Sequence, residues 1–108
     1  MSFNVKTISV FERQAKRLMK KFPSLKKEIQ TLISELKEEP NKGTSIGLNC
    51  HKIRLSIASK GKGKSGGARV ITHLVYKNET VFLLSIFDKS DMESLSDKEI
   101  IELIKLIP

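Results

Sequence analysis

Residues 51–59, "HKIRLSIAS", alternate between apolar and polar side chains. Ile53, Leu55 and Ile57 fall on one side, and Lys52, Arg54 and Ser56 on the other. That period of two belongs to a half-buried strand, not to a helix. Residues 68–76, "ARVITHLVY", follow a glycine–lysine stretch and again read as a strand, with Val70, Leu74 and Tyr76 set against Arg69, Ile71 and His73. Lys77, Asn78 and Glu79 read as a turn. Residues 80–87, "TVFLLSIF", then give a third and more buried strand. Three successive strands with short connections predict an antiparallel meander.

The first half of the chain has a different period. "FNVKTIS" is β-branched and alternating, so Phe3 to Ile8 reads as a strand. Ser9 followed by Glu12 fits a capping box, and a helix is expected from there. Its apolar residues Phe11, Ala15, Leu18, Met19 and Phe22 share one face. Pro23 and Ser24 break the chain. Leu25, Ile29, Leu32, Ile33 and Leu36 mark a second helix ending near Pro40, and Gly43 and Gly47 mark a loop. The short connection predicts a helical hairpin. At the far end Ser96 and Glu99 form another capping box before a helix carrying Ile100, Leu103, Ile104 and Ile107.

The expected fold is one α+β domain over residues 1–108: an N-terminal strand, a helical hairpin, an antiparallel three-strand meander and a C-terminal helix. One sheet face should pack on the helices. The other should carry Arg54, Lys60, Arg69 and His73 as a basic, concave working surface.

Charge narrows the function. The chain has 108 residues and a formal net charge of +8. No carboxylate occurs between Glu39 and Glu79, whereas Asp91, Glu93, Asp97, Glu99 and Glu102 crowd the end. A segregated basic surface suits a polyanion: a nucleic acid or an acidic protein. No apolar run is long enough to cross a membrane. Cys50 is the one cysteine, so no internal disulfide forms and a cytoplasmic location fits best. A catalytic thiol at Cys50 beside His51 is disfavoured, because neighbours in an extended segment point to opposite faces.

"GKGKSGG", residues 61–67, superficially resembles a phosphate-binding loop of nucleotide hydrolases. That motif needs a glycine where Ala58 stands and a helix directly after the lysine. Here a strand follows instead. A solvated hairpin connection is the plain alternative. Lys60, Lys62 and Lys64 nevertheless gather beside Arg54 and Arg69, and gathered like charges call for an anion. With His51 and His73 the only histidines and no carboxylates in the basic region, no metal site and no cofactor are expected. RNA can still be cut without metal, its own 2′-hydroxyl serving as nucleophile. An arginine fork would stabilise the phosphorane, and a lysine crowded by other cations would act as base or proton relay.

"KIRLSIASKGKGKSGGARVITHLVY" followed by "VFLLSIFDKSDMESLSDKEI" resembles the RelE/ParE superfamily of bacterial type II toxins, and within it the HigB-like branch with a "GKSGGARV" segment. The resemblance implies the RelE-like fold and a ribosome-dependent endoribonuclease that cleaves mRNA and inhibits translation. It implies a cognate antitoxin, often a helix-turn-helix protein, and contact with operator DNA only through that antitoxin. By position it implies catalytic roles for Arg69, Lys60, Lys62, Lys64 and Lys89. Lys52, Arg54, His73, Lys20 and Lys21 are then expected to meet RNA or the ribosome. The segment after the last strand departs from RelE: Ser90 stands near an arginine position, and no tyrosine follows. The alternatives are a ParE-like gyrase inhibitor of the same fold and a plain nucleic-acid-binding module.

Overall fold

The alternating stretches form the centre of a five-stranded sheet in the order β1-β5-β4-β3-β2. The computed structural model describes residues 2–60, 66–92 and 94–108. Its elements are β1 (Asn4–Thr7), α1 (Ser9–Lys21), α2 (Leu25–Glu38), β2 (Thr44–Gly47), β3 (Cys50–Leu55), β4 (Ala68–Val75), β5 (Thr80–Asp88) and α3 (Asp97–Ile104). Short 3₁₀ turns lie at Ala58–Lys60 and Tyr76–Asn78. The predicted mixed α+β order therefore holds, and β3, β4 and β5 form the antiparallel meander.

Two strands extend that meander. β1 runs parallel to β5, with Asn4 opposite Thr80 and Thr7 opposite Leu83. The expected loop at residues 43–47 contains β2 instead, antiparallel to β3. The two glycines misled the reading, because they serve the strand rather than interrupt it. Gly43 has φ +98°, and a Cβ there would lie 2.6 Å from the Lys52 carbonyl oxygen. The hairpin then turns through Leu48 and Asn49, both left-handed at φ 58° and 57°. Positive φ at both central residues is what a two-residue hairpin turn with the sheet's own twist requires.

Helix entry differs at one end and agrees at the other. Ile8, not Ser9, is the N-cap of α1, and its side chain offers no hydrogen bond. The Thr7 hydroxyl donates to the Glu12 carboxylate beside this first turn, a side-chain pair that caps no backbone amide. At α3 the Ser96–Glu99 capping box forms as read. The helices bury Phe11, Ala15 and Leu18 of α1, Leu25, Ile29, Leu32 and Leu36 of α2, and Ile100 of α3.

The strand register assigns the faces. His51, Ile53 and Leu55 pair with Thr72, Val70 and Ala68, and a cavity lined by Leu32, Glu35, Ile53 and Leu55 places α2 against this side. The opposite side carries rows of Cys50 and His73, Lys52 and Ile71, and Arg54 and Arg69. It is not free as expected. All nine residues of β5 are buried, Phe87 among them, and so is Ile71 of β4. A cavity lined by Ser85, Leu95, Lys98, Glu99 and Leu103 sets α3 beside Ser85. An almost wholly apolar strand predicts cover on both faces, and that rule outweighs the two-layer picture.

β1 covers only the first part of β5, which leaves the rest of that edge with unpaired backbone. Gln14 of α1 closes it. Its Oε1 accepts from the Ile86 amide and from the Ser85 hydroxyl, both at 3.0 Å. Leu84 of β5 is an extra residue opposite the Ile71–Thr72 step of β4, and this bulge shifts the register beyond that point.

Candidate functional site

Three strand-borne cations and the residue after β5 make one cleft. Lys52, Arg54, Arg69 and Lys89 line a depression of about 230 Å³ on the sheet side opposite α2. β3 and β4 bring Arg54 and Arg69 directly across from each other. Like charges in that position destabilise a sheet by up to about 1 kcal/mol. Arg54 is exposed and Lys52 partly so. Arg69 is not: only 4% of it is accessible, and its Nη1 donates to its neighbour Ala68's carbonyl at 3.1 Å. The guanidinium expected on an open surface therefore sits at the wall of the cleft. Burial fixes its direction and lowers the dielectric around it, and both strengthen its action on an anion.

The other expected site residues lie elsewhere. Lys60 was expected on this surface; its ammonium instead reaches the carboxylate of Asp88, a residue that pairs with Ala68 and so belongs to the α2 side. It also donates to Ser90 Oγ at 3.1 Å and lies 5.6 Å from the Phe22 ring centre. Burial pushes the Asp88 carboxyl up, but Lys60 and the donors of Ser90 outweigh it and hold the pKa below the usual aspartate value. Lys62 and Lys64 lie outside the described residues.

His73 shares the register face of Arg69 but stands four residues away, about 13 Å along the strand. Its Nδ1 lies 3.4 Å from Cys50 Sγ. Burial is the larger influence on its imidazole and lowers the pKa, against a smaller opposing effect of the Leu48 backbone. A histidine so placed is neutral near physiological pH and is not aimed at the cleft. Cys50 is wholly buried, and burial pushes its thiol up to about 11. It is a packed residue without thiolate character. Lys20 and Lys21 end α1 on exposed positions, where cations complement the helix dipole. Lys21 also lies 5.4 Å from the Phe22 ring centre.

Sequence reading missed Asp88, Ser24 and Glu28 as partners of the segment before the glycine–lysine stretch. Nothing local marks them, since their contacts join residues 28 to 35 positions apart.

A cationic cleft on a mixed sheet, with α2 packed on the other face, defines a small α+β protein whose charge suits a polyanion. The family described as "RelE toxin of RelE / RelB toxin-antitoxin system" matches residues 6–107, and the chain belongs to it. It is a toxin of the RelE type. Solved structures agree on the fold. A mutant of the E. coli toxin RelE in the free state aligns with a TM-score of 0.63 at 18% identity, over 100% of both chains. The isolated E. coli RelE toxin gives 0.57 at 17% identity, over 98% of this chain and 100% of its own. The Mycobacterium tuberculosis toxin–antitoxin complex RelBE2 gives 0.57 at 14% identity, over 82% of this chain and 92% of the matched one.

Proposed function

We propose that this toxin is a ribosome-dependent mRNA endoribonuclease of the HigB-like branch, held inactive by a cognate antitoxin. The observation that supports it most is the cleft lined by Lys52, Arg54, Arg69 and Lys89. Four cations converging on one depression match a phosphodiester backbone better than a neutral ligand. In this reading the RNA 2′-hydroxyl attacks the adjacent phosphorus and the 5′ oxygen leaves. Arg69 stabilises the charge that grows on the non-bridging oxygens, because its fork of donors is held in place before the reaction. Arg54 and Lys52 hold the neighbouring phosphate, and Lys89 closes the cleft. Proton transfer falls to Lys62 or Lys64, which the family resemblance assigns to catalysis. The gyrase-inhibitor alternative makes no use of the basic cleft.

The test is cleavage of an mRNA on purified ribosomes, mapped by primer extension. Arg69→Ala is expected to lower cleavage at least about 100-fold while the protein stays folded by circular dichroism. Full cleavage by that variant would remove Arg69 from the mechanism. Intact mRNA with the unaltered protein would end the ribonuclease reading.

A further inference from the structure

The 3₁₀ turn Ala58–Lys60 carries the chain from β3 towards the glycine–lysine segment, and the start of α2 holds it from outside. The Ala58 amide donates to Glu28 Oε2 at 2.7 Å, and the Ser59 amide donates to Ser24 Oγ at 2.9 Å. The two serine hydroxyls meet at 2.8 Å, and Ser24 also donates to Glu28 Oε1 at 3.2 Å. Glu28 thus serves the exposed amide at the head of the turn as a capping residue would.

Lys60 is the last described residue before the segment, and it is fastened to the end of β5. Its side chain is 10% exposed, and its ammonium pairs with Asp88, whose side chain is 3% exposed. Asp88 Oδ1 also accepts from the Ser90 amide at 2.9 Å. On the other side of the segment the Lys89 amide donates to the Gly67 carbonyl at 3.0 Å. Both stems are therefore tied to Asp88 and Lys89, consecutive residues at the end of β5. Two residues beyond Gly67 comes Arg69.

We infer that Lys60, Asp88, Ser24 and Glu28 form a clamp that sets the stems of the glycine–lysine segment relative to Arg69, and that Lys60 is a positioning residue rather than a catalytic one. The catalytic half of this rests on the ribonuclease reading; the clamp itself does not. To touch RNA, Lys60 would have to leave a buried carboxylate, and breaking a buried pair leaves an uncompensated charge behind. Holding two stems in one relative position is the use such a pair serves well.

Ribosome-programmed cleavage is measured for Lys60→Arg, Lys60→Met, Asp88→Asn and the Lys60→Met/Asp88→Asn pair across a range of pH. Arginine keeps the pair but does not relay protons near neutrality, so Lys60→Arg is expected to retain cleavage within about threefold, since the charge-assisted bond to Asp88 survives. Lys60→Met and Asp88→Asn are each expected to lose roughly tenfold or more, and the double variant no more than the worse single, because the partners act as one unit. The pH profile of the residual activity should match that of the unaltered protein. An inactive Lys60→Arg beside a near-normal Asp88→Asn would overturn the assignment and place the lysine on the RNA. Amide hydrogen exchange at Ala58 and Ser59 gives a readout free of catalysis. Protection should survive Lys60→Arg and fall in Glu28→Ala, which removes the acceptor; protection unchanged in Glu28→Ala would refute the clamp. If Lys60→Met does not fold, Lys60→Arg and Glu28→Ala decide the matter. If the unaltered protein does not cleave mRNA, the ribonuclease reading fails, and exchange still decides the clamp.

Discussion

Arg54 and Lys60 belong to one continuous stretch of chain, yet the fold handles their charges in opposite ways. Arg54 is exposed, has no ion pair among the described residues, and lines a cleft with three other cations. Lys60 is turned inward onto Asp88 and Ser90. Charge is accumulated where water and a partner can reach it, and neutralised where the chain must be held. A net charge of +8 does not distinguish the two uses.

The contrast should break most visibly in stability. Asp88→Ala removes the carboxylate from the largely covered Lys60 side chain and leaves its ammonium only the Ser90 hydroxyl, and is expected to cost about 1.5–3 kcal/mol in urea unfolding. Arg54→Ala should change stability by no more than about 0.5 kcal/mol. Equal losses would abolish the distinction. Next in size is Gly43→Ala, which drives a Cβ against the Lys52 carbonyl at a left-handed backbone position. A loss of more than about 1 kcal/mol is expected in thermal melts, together with weakened RNA binding, since β3 carries Lys52 and Arg54.

A smaller effect follows from pH. The Asp88 carboxyl titrates below its usual value in the folded protein, so the folded state holds its proton less tightly than the unfolded chain. Its stabilisation is complete above the ordinary aspartate value near about pH 4 and is lost as pH falls through the depressed folded value. Acid titration of Asp88→Asn, followed by circular dichroism, should lack that part of the acid unfolding. On the cleft side, Arg54→Ala should reduce the slope of log affinity against log salt for single-stranded RNA by about 0.7, one phosphate contact. An unchanged slope would take Arg54 out of the interface. The smallest expected signal is at Cys50, whose buried thiol should resist alkylation in the native protein near neutral pH.

Particular residues show how far sequence reading reaches. Strand alternation around Ile53 and Val70, the helical faces of α1 and α2, and the Ser96–Glu99 box are local patterns, and each appears in the fold. β2 was hidden because its four residues follow one glycine and end in another, a composition that also suits a loop. The cleft was partly legible, since Arg54 and Arg69 were read onto one side of the sheet. The burial of Arg69 was not, because β5 alone does not say what will cover its second face. Lys60 was misread for a related reason. Its partner Asp88 lies 28 residues ahead, just past the stretch read as the third strand, and no period or spacing links the two.

The parallel pairing of β1 with β5 has a consequence in time. Asn4 aligns with Thr80, so the first strand of the sheet has no partner until nearly the whole chain has been synthesised. α1 likewise makes its main contacts with β5, and both hairpin helices emerge before the strands they cover. Long-range pairing of this kind delays folding, and domains gain their native form as their segments leave the ribosome in order. Arg54 and Arg69 can come into register only after β3 and β4 exist, and β4 gains its second neighbour last. Within the cleft, Lys89 follows β5 and so joins Lys52, Arg54 and Arg69 last.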